Sequence, residues 1–301
     1  MKLCTFFADA GARASGASRV GVVVDDAVVD LSIAAPELPR DMLSLLAAGD
    51  AVLARAESAA SSAVTRTPLA RVKLGAPVAR PRKFLAIGLN YADHITESGA
   101  ETPKFPAVFN KQVTCVAGPH DDVHMPRVSQ ALDYEGELAF VIGKRCRHVP
   151  RERAHEVIAG YCVHNDVSVR DWQLRTGQWT MGKSFDTHGP LGPWLTTPDE
   201  IDAGGMRLRT WIDGELRQDS NTKHLVFDCA AIVEHLSAAF TLEVGDVVAT
   251  GTPGGVGFAQ KPPKPLRVGD VMRVEIEGLG AIENRVVVEP DDTAFIDAGA
   301  R

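Results

Sequence analysis

Short apolar runs bounded by Gly, Pro or Asp recur from Lys83 onward. Phe84–Gly88, Leu138–Ile142, Gly160–His164, Leu208–Ile212, Asp246–Ala249 and Val271–Ile276 each have the length and punctuation of a strand. One segment has helical period instead: Ala231, Ile232, Leu236 and Phe240 place a helix near Asp228–Phe240. Upstream, Arg19–Val24 and Ala27–Leu31 read as a hairpin around Asp25-Asp26, and the Ala/Leu-rich stretch 41–64 reads as helical. Strands outnumber helices, and the regular alternation of a doubly wound fold is missing. The pattern predicts a β-rich α+β protein. Residues 1–75 are expected to form a small N-terminal domain and 76–290 the larger one, with a flexible tail over 291–301. The segment 75–82 carries two prolines and no apolar period, so it reads as the linker.

Composition narrows the function classes. The chain has 301 residues, 45% hydrophobic and 24% charged, which is ordinary for a globular protein. Its net charge of -7, with no basic stripe, argues against nucleic acid as a partner. No apolar stretch approaches the roughly 18 residues of a membrane span. Five scattered cysteines without a CxxC pair fit reduced thiols, and Met1-Lys2-Leu3-Cys4 has no signal-peptide pattern. A cytoplasmic location is expected.

The chemistry concentrates at Asp133-Tyr134-Glu135-Gly136-Glu137, where three acids alternate at the head of an apolar run. Alternate strand positions share a face at a rise of roughly 3.3 Å per residue. Glu135 and Glu137 would therefore stand side by side, with Asp133 behind. Adjacent anions entering a core repel and lose solvation. A bound cation would resolve both problems, and oxygen ligands suit Mg²⁺, Mn²⁺ or Ca²⁺ better than zinc. A solvated acidic strand end is the open alternative. Asp166, at the end of another strand-like run, would supply a third carboxylate, or is simply a turn former.

Three further segments carry polar groups. His94 and Glu97 lie three apart on what reads as a short helix, so a carboxylate can orient an imidazole there; a surface pair is the alternative. Gly177–Ser184 matches the P-loop pattern, but no apolar strand precedes it and Gly189-Pro190 follows too soon for a helix, so nucleotide binding is rejected. Lys183 within it is either a cation for an oxyanion or an ordinary surface lysine. The glycine-rich stretch 249–257 either holds a substrate carboxylate through its amides and Thr252, or is a tight turn.

Taken together, G-x-N-Y-x-x-H at 88–94, D-Y-E-G-E-L-A at 133–139, N-D-V-S-x-R-D at 165–171, G-K-S-F-D at 182–186 and T-G-T-P-G-G-V-G at 250–257 resemble the fumarylacetoacetate hydrolase family in order and spacing. The resemblance covers residues 80–290. It implies the family's mixed β-sandwich or roll, and Glu135, Glu137 and Asp166 as ligands of Mg²⁺, Mn²⁺ or Ca²⁺. It further implies His94 and Glu97 as the water-activating dyad and Lys183 as the lysine reaching substrate oxygen. Arg170, Gln173 and Thr252 become substrate-binding positions, and the assembly a homodimer. Asp133 is given no ligand role. The activity so implied is hydrolysis of a C–C bond in a β-diketo acid of acylpyruvate type. An isomerase, an oxaloacetate-type decarboxylase or a ureidoglycolate lyase is the alternative on the same site.

Overall fold

In the computed structural model, which describes residues 1–8 and 17–291, the apolar runs become strands of two sheets. The expected tail lies, from residue 292, outside the described residues. The larger sheet runs in the order Thr67–Pro68, Ala27–Asp30, Arg19–Val24, Lys2–Phe7, Gly189–Thr196, Ile158–Asn165, Gly136–Ile142, Val247–Ala249, Phe84–Gly88 and Ala107–Lys111. Its pairs along this path are antiparallel except Val247–Ala249 with Phe84–Gly88. The second sheet runs Glu215–Asn221, Arg207–Ile212, Val271–Ile276, Gly280–Val288 and Val123–Met125. The protein is thus a strand-rich α+β fold.

Both faces of the large sheet are covered, which is why its central strands read as unbroken apolar runs rather than alternating ones. On one face Leu138, Phe140, Val163 and Val248 meet Leu208, Val274 and Ile276 of the second sheet, together with Ile232 and Leu236 of the helix Cys229–Ala239. That helix starts where Asp228 accepts the amide of Ala231 at 2.9 Å, a side-chain N-cap. On the opposite face Ala139, Val141, Cys162 and Leu195 pack with Leu45 and Ala56 from the helices Met42–Ala47 and Asp50–Ser62.

One sheet therefore crosses the expected boundary near residue 75: Lys2–Phe7 pairs with Gly189–Thr196, and both halves share a core. The stretch read as a linker is built in. Lys73–Gly75 pairs with Lys2–Phe7, Val78 is buried, and Thr5 Oγ1 donates to the carbonyl of Pro77 at 3.0 Å. Pro77 and Pro81 are themselves buried, while Ala79, Arg80 and Arg82 face solvent.

Strand register then positions the acids. Gly136 lies opposite Asn165 and Glu137 opposite His164. One step further out, the Asp166 amide donates to the Glu135 carbonyl at 2.8 Å, and the Glu135 amide donates to Asn165 Oδ1 at 3.0 Å. On the other flank Ala139 pairs with Ala249, which delivers the Gly251 amide to Glu137 Oε2 at 2.8 Å. Gly251 has φ of 99°, and a Cβ there would lie 2.9 Å from the Ile87 carbonyl oxygen, so only glycine fits this approach.

Candidate active site

Two adjacent strand ends bring Glu135, Glu137 and Asp166 together inside the protein, all three buried. Each offers a carboxylate oxygen, and these oxygens lie within 4.8 Å of one another. Oxygens bound to one cation at about 2.0–2.6 Å can be no more than about 5 Å apart, so the spacing fits. The donor set is oxygen only, which suits Mg²⁺, Mn²⁺ or Ca²⁺.

Three buried cations surround this cluster. Lys183 Nζ bridges Glu135 Oε2 at 2.6 Å and Asp166 Oδ2 at 2.8 Å. Lys111 Nζ donates to Asp166 Oδ1 at 2.6 Å and to the carbonyls of Lys183 and His188. Arg170 donates through Nη1 to Glu135 Oε1 at 2.5 Å and through Nε to Asp133 Oδ2 at 2.9 Å. Asp133 also accepts the amides of Gly257 at 2.8 Å and Phe258 at 3.0 Å. It braces a loop and a guanidinium and stands outside the acid cluster, despite its phase in the sequence.

The three acids do not share one electrostatic state. Burial pushes the Asp166 carboxyl up, but Lys111 and Lys183 outweigh it and hold it well below the usual carboxylate range. Burial likewise opposes Lys183 and Arg170 at Glu135, and the cations prevail. Glu137 goes the other way. Burial, then the nearby Asp166 and Glu135 anions, push it well above the ordinary value. Glu137 is the least compensated anion of the cluster, and therefore the one that gains most from a bound cation.

A cavity of about 440 Å³ opens above the cluster. His94 and Glu97 line it from the helix Ala92–Ser98, with His94 Nδ1 3.3 Å from Glu97 Oε2. The helix is tied to the glycine-rich loop, because Glu97 Oε1 accepts the Gly255 amide at 2.9 Å. Its entry is fixed by Asn90, whose side chain bonds both the amide and the carbonyl of Phe227 and the Thr250 carbonyl. Gln173 and Thr252 line the same cavity. Gln173 Oε1 accepts from Arg170, while the Thr252 hydroxyl lies between the Gly136 carbonyl at 3.0 Å and Gln218 Nε2 at 2.8 Å.

The family profile described as fumarylacetoacetate hydrolase C-terminal matches residues 83–287. The chain belongs to the fumarylacetoacetate hydrolase family. It is 43% identical over 278 residues to the mitochondrial oxaloacetate tautomerase of Xenopus laevis, covering 91% of this chain and 87% of that one. Among solved structures, fumarylacetoacetate hydrolase from Exiguobacterium antarcticum superposes with a TM-score of 0.83 at 36% identity, over 96% of this chain and all of the other. Maleylpyruvate hydrolase from Sphingobium sp. SYK-6, whose structure contains manganese(II) and pyruvate, gives 0.80 at 32% identity over the same shares. The chain is an enzyme of this superfamily.

Eight of the nine residues singled out from the sequence line the cavity, and the ninth, Asp166, lies behind them, bonded to Lys183 at 2.8 Å and grouped with Glu135 and Glu137. Lys183 is no surface lysine. The short 3-10 turn Trp179–Lys183 buries it beneath the acids, and the P-loop-like match has no strand before it or helix after it. Lys111 was not anticipated. Its only sequence trace is an alternation with Phe109, a buried residue two positions earlier on the strand Ala107–Lys111. No helix among the described residues is long and apolar enough to cross a membrane.

Proposed function

We propose that this enzyme is a divalent-cation-dependent hydrolase that cleaves a C–C bond in an acylpyruvate-type β-diketo acid. The observation that carries the reading is that the His94–Glu97 pair and the Glu135–Glu137–Asp166 cluster face one cavity. Mg²⁺ or Mn²⁺, with Ca²⁺ a third candidate, would be held by Glu135, Glu137 and Asp166. When bound, such an ion supplies a Lewis acid toward the oxygens of the α-keto acid end.

The chain's own residues do the rest. With Nδ1 turned to Glu97, His94 keeps Nε2 as the base for the attacking water. The water oxygen bonds to the distal carbonyl carbon and its proton passes to His94. The bond between that carbon and the neighbouring methylene then breaks. One fragment leaves as a carboxylic acid; the other keeps the electron pair as an enolate and becomes pyruvate by taking one proton at carbon. Lys183 provides positive charge beside the enolate oxygen as it forms. Arg170, Gln173 and Thr252 are assigned to substrate placement. Residues 76–290 form the catalytic part and 1–75 the smaller N-terminal domain in the same reading, and a cytoplasmic homodimer completes it.

A second reading is keto–enol isomerisation of an oxo acid. The 43% identical oxaloacetate tautomerase favours it, since His94 could carry a proton between carbon and oxygen without water attack. Purified protein with Mg²⁺ or Mn²⁺ separates the two. Release of equal amounts of pyruvate and a carboxylic acid from acylpyruvates supports hydrolysis. Loss of enol absorbance from oxaloacetate, with no cleavage of any acylpyruvate, overturns it in favour of isomerisation. Light scattering tests the dimer, and the mass of one chain would overturn it.

A further inference from the structure

We propose that this cavity selects oxo acids with a single carboxylate, at the acid-cluster end, and an uncharged apolar arm at the other. The inference rests on the proposed oxo-acid site and specifies which oxo acids it takes.

The cavity is two-sided. Its floor carries all the permanent cations of its lining, Arg170 and Lys183, and both are buried and committed to Asp133, Glu135 and Asp166. Its apolar wall includes Leu174, Trp179, Val256 and Phe258, of which Leu174 and Phe258 stand at the mouth. Leu174 and Phe258 are 62% and 49% exposed, so apolar area at the mouth stays open to solvent. A carboxylate placed there would find no uncommitted cation in the lining, whose other charged side chains are the carboxylates Glu97, Glu135 and Glu137. Arg175, next in sequence to Leu174, is turned away: its guanidinium lies 3.9 Å from the centre of the Trp172 ring and pairs with Asp171. A second carboxylate would thus lose water without replacement, whereas an alkyl arm would cover exposed carbon.

The apolar wall is held in place by the floor itself. Phe258 sits on a loop whose amides at 257 and 258 bond Asp133. The Leu174 amide donates to the Arg170 carbonyl at 3.1 Å, and Arg170 is anchored by Asp133 and Glu135. Trp179 is locked from the side. A Cβ at Gly88 would come within 2.1 Å of its ring, and Phe109 meets it edge-on with centroids 5.6 Å apart. A wall fixed to the acid site discriminates by arm chemistry better than a loose one would.

The test uses binding, so that it does not depend on turnover. 2-Oxohexanoate and 2-oxoadipate share a chain and differ only in a terminal methyl against a terminal carboxylate. Neither has the second carbonyl needed for cleavage. Calorimetric titration of the Mn²⁺-loaded protein should give 2-oxohexanoate at least about tenfold tighter binding. In Leu174→Arg or Phe258→Arg the ratio should fall toward one or reverse, while the affinity for pyruvate alone stays within about threefold. Equal or tighter binding of 2-oxoadipate to the unaltered protein overturns the inference, and binding of neither acid overturns both it and the proposed oxo-acid site. A tenfold preference in a protein that cleaves no acylpyruvate would sink the hydrolase reading and leave the selectivity standing.

Discussion

Lys111 Nζ lies 2.6 Å from Asp166 Oδ1, with both side chains fully buried. Burial alone would lower the lysine's proton affinity, but Asp166 more than restores it, so the pair stays charged. Lys111→Met leaves Asp166 with Lys183 as its remaining cation, and strands two carbonyls that Lys111 now satisfies. The expected loss is about 3 kcal/mol in urea denaturation. Adding Asp166→Asn should recover part of it, because the buried anion left with one cation instead of two is gone. A loss below about 1 kcal/mol for Lys111→Met would show that the pair contributes little.

Glu137 is the anion least compensated by its surroundings. Glu137→Gln keeps an acceptor for the Gly251 amide and removes repulsion with Glu135 and Asp166. Without metal this variant should melt at the same temperature as the parent or higher. With Mn²⁺ in hundredfold excess over the parent's dissociation constant, the parent should gain about 2.7 kcal/mol and the variant almost nothing. Equal Mn²⁺ stabilisation of both proteins would remove Glu137 from the ligand set.

The Glu97 carboxylate has two contacts, and they can be separated. One oxygen faces His94 Nδ1 and the other accepts the Gly255 amide. Glu97→Gln preserves an acceptor for Gly255 but loses the charge that orients the imidazole. Under the hydrolase reading kcat should fall by about 10² to 10⁴ with little change in KM. Glu97→Ala also releases the helix Ala92–Ser98 from the glycine-rich loop, so KM should rise as well. Full activity in both variants would exclude Glu97 from proton transfer.

His188 titrates against stability. Burial pushes its pKa down to about 3, and its Nε2 faces the His124 carbonyl at 2.8 Å while Nδ1 has no partner. Between about pH 6.5 and 3 the unfolded chain therefore binds a proton that the folded one refuses. Stability falls as pH drops through that window, by about 1.4 kcal/mol per unit for this histidine. His188→Gln keeps a donor toward His124 and does not titrate. Between pH 6.5 and 5.5 it should lose about 1 kcal/mol less than the parent in urea denaturation, since the slope reaches its full value only below the unfolded pKa. Parallel losses in the two proteins would refute the assignment.

The central strands were legible because they are buried on both faces, which makes them continuous apolar runs that periodicity detects. The hairpin and the helix near Asp228 announced themselves through local signals, a two-residue turn and apolar residues at helical spacing. The segment 75–82 was harder. Its prolines look like a linker, yet its residues pack against Lys2–Phe7, a contact between distant parts of the chain. Asp133 shared the phase of Glu135 and Glu137, but the chain leaves regular strand geometry between Asp133 and Gly136. Its carboxylate therefore goes to Arg170 and to two loop amides.

By itself the sequence determined the strand-rich class, the order of the chemistry-bearing segments and the family. Those rest on local pattern and on motif order, which need no coordinates. Only the tertiary structure decided which charges meet. The register of Gly136–Ile142 against Ile158–Asn165 sets Asp166 beside Glu135. The pairing of Phe84–Gly88 with Ala107–Lys111 carries Lys111 beneath them. A buried charge is defined by neighbours from remote segments, and neither burial nor neighbours are written at its own position in the chain.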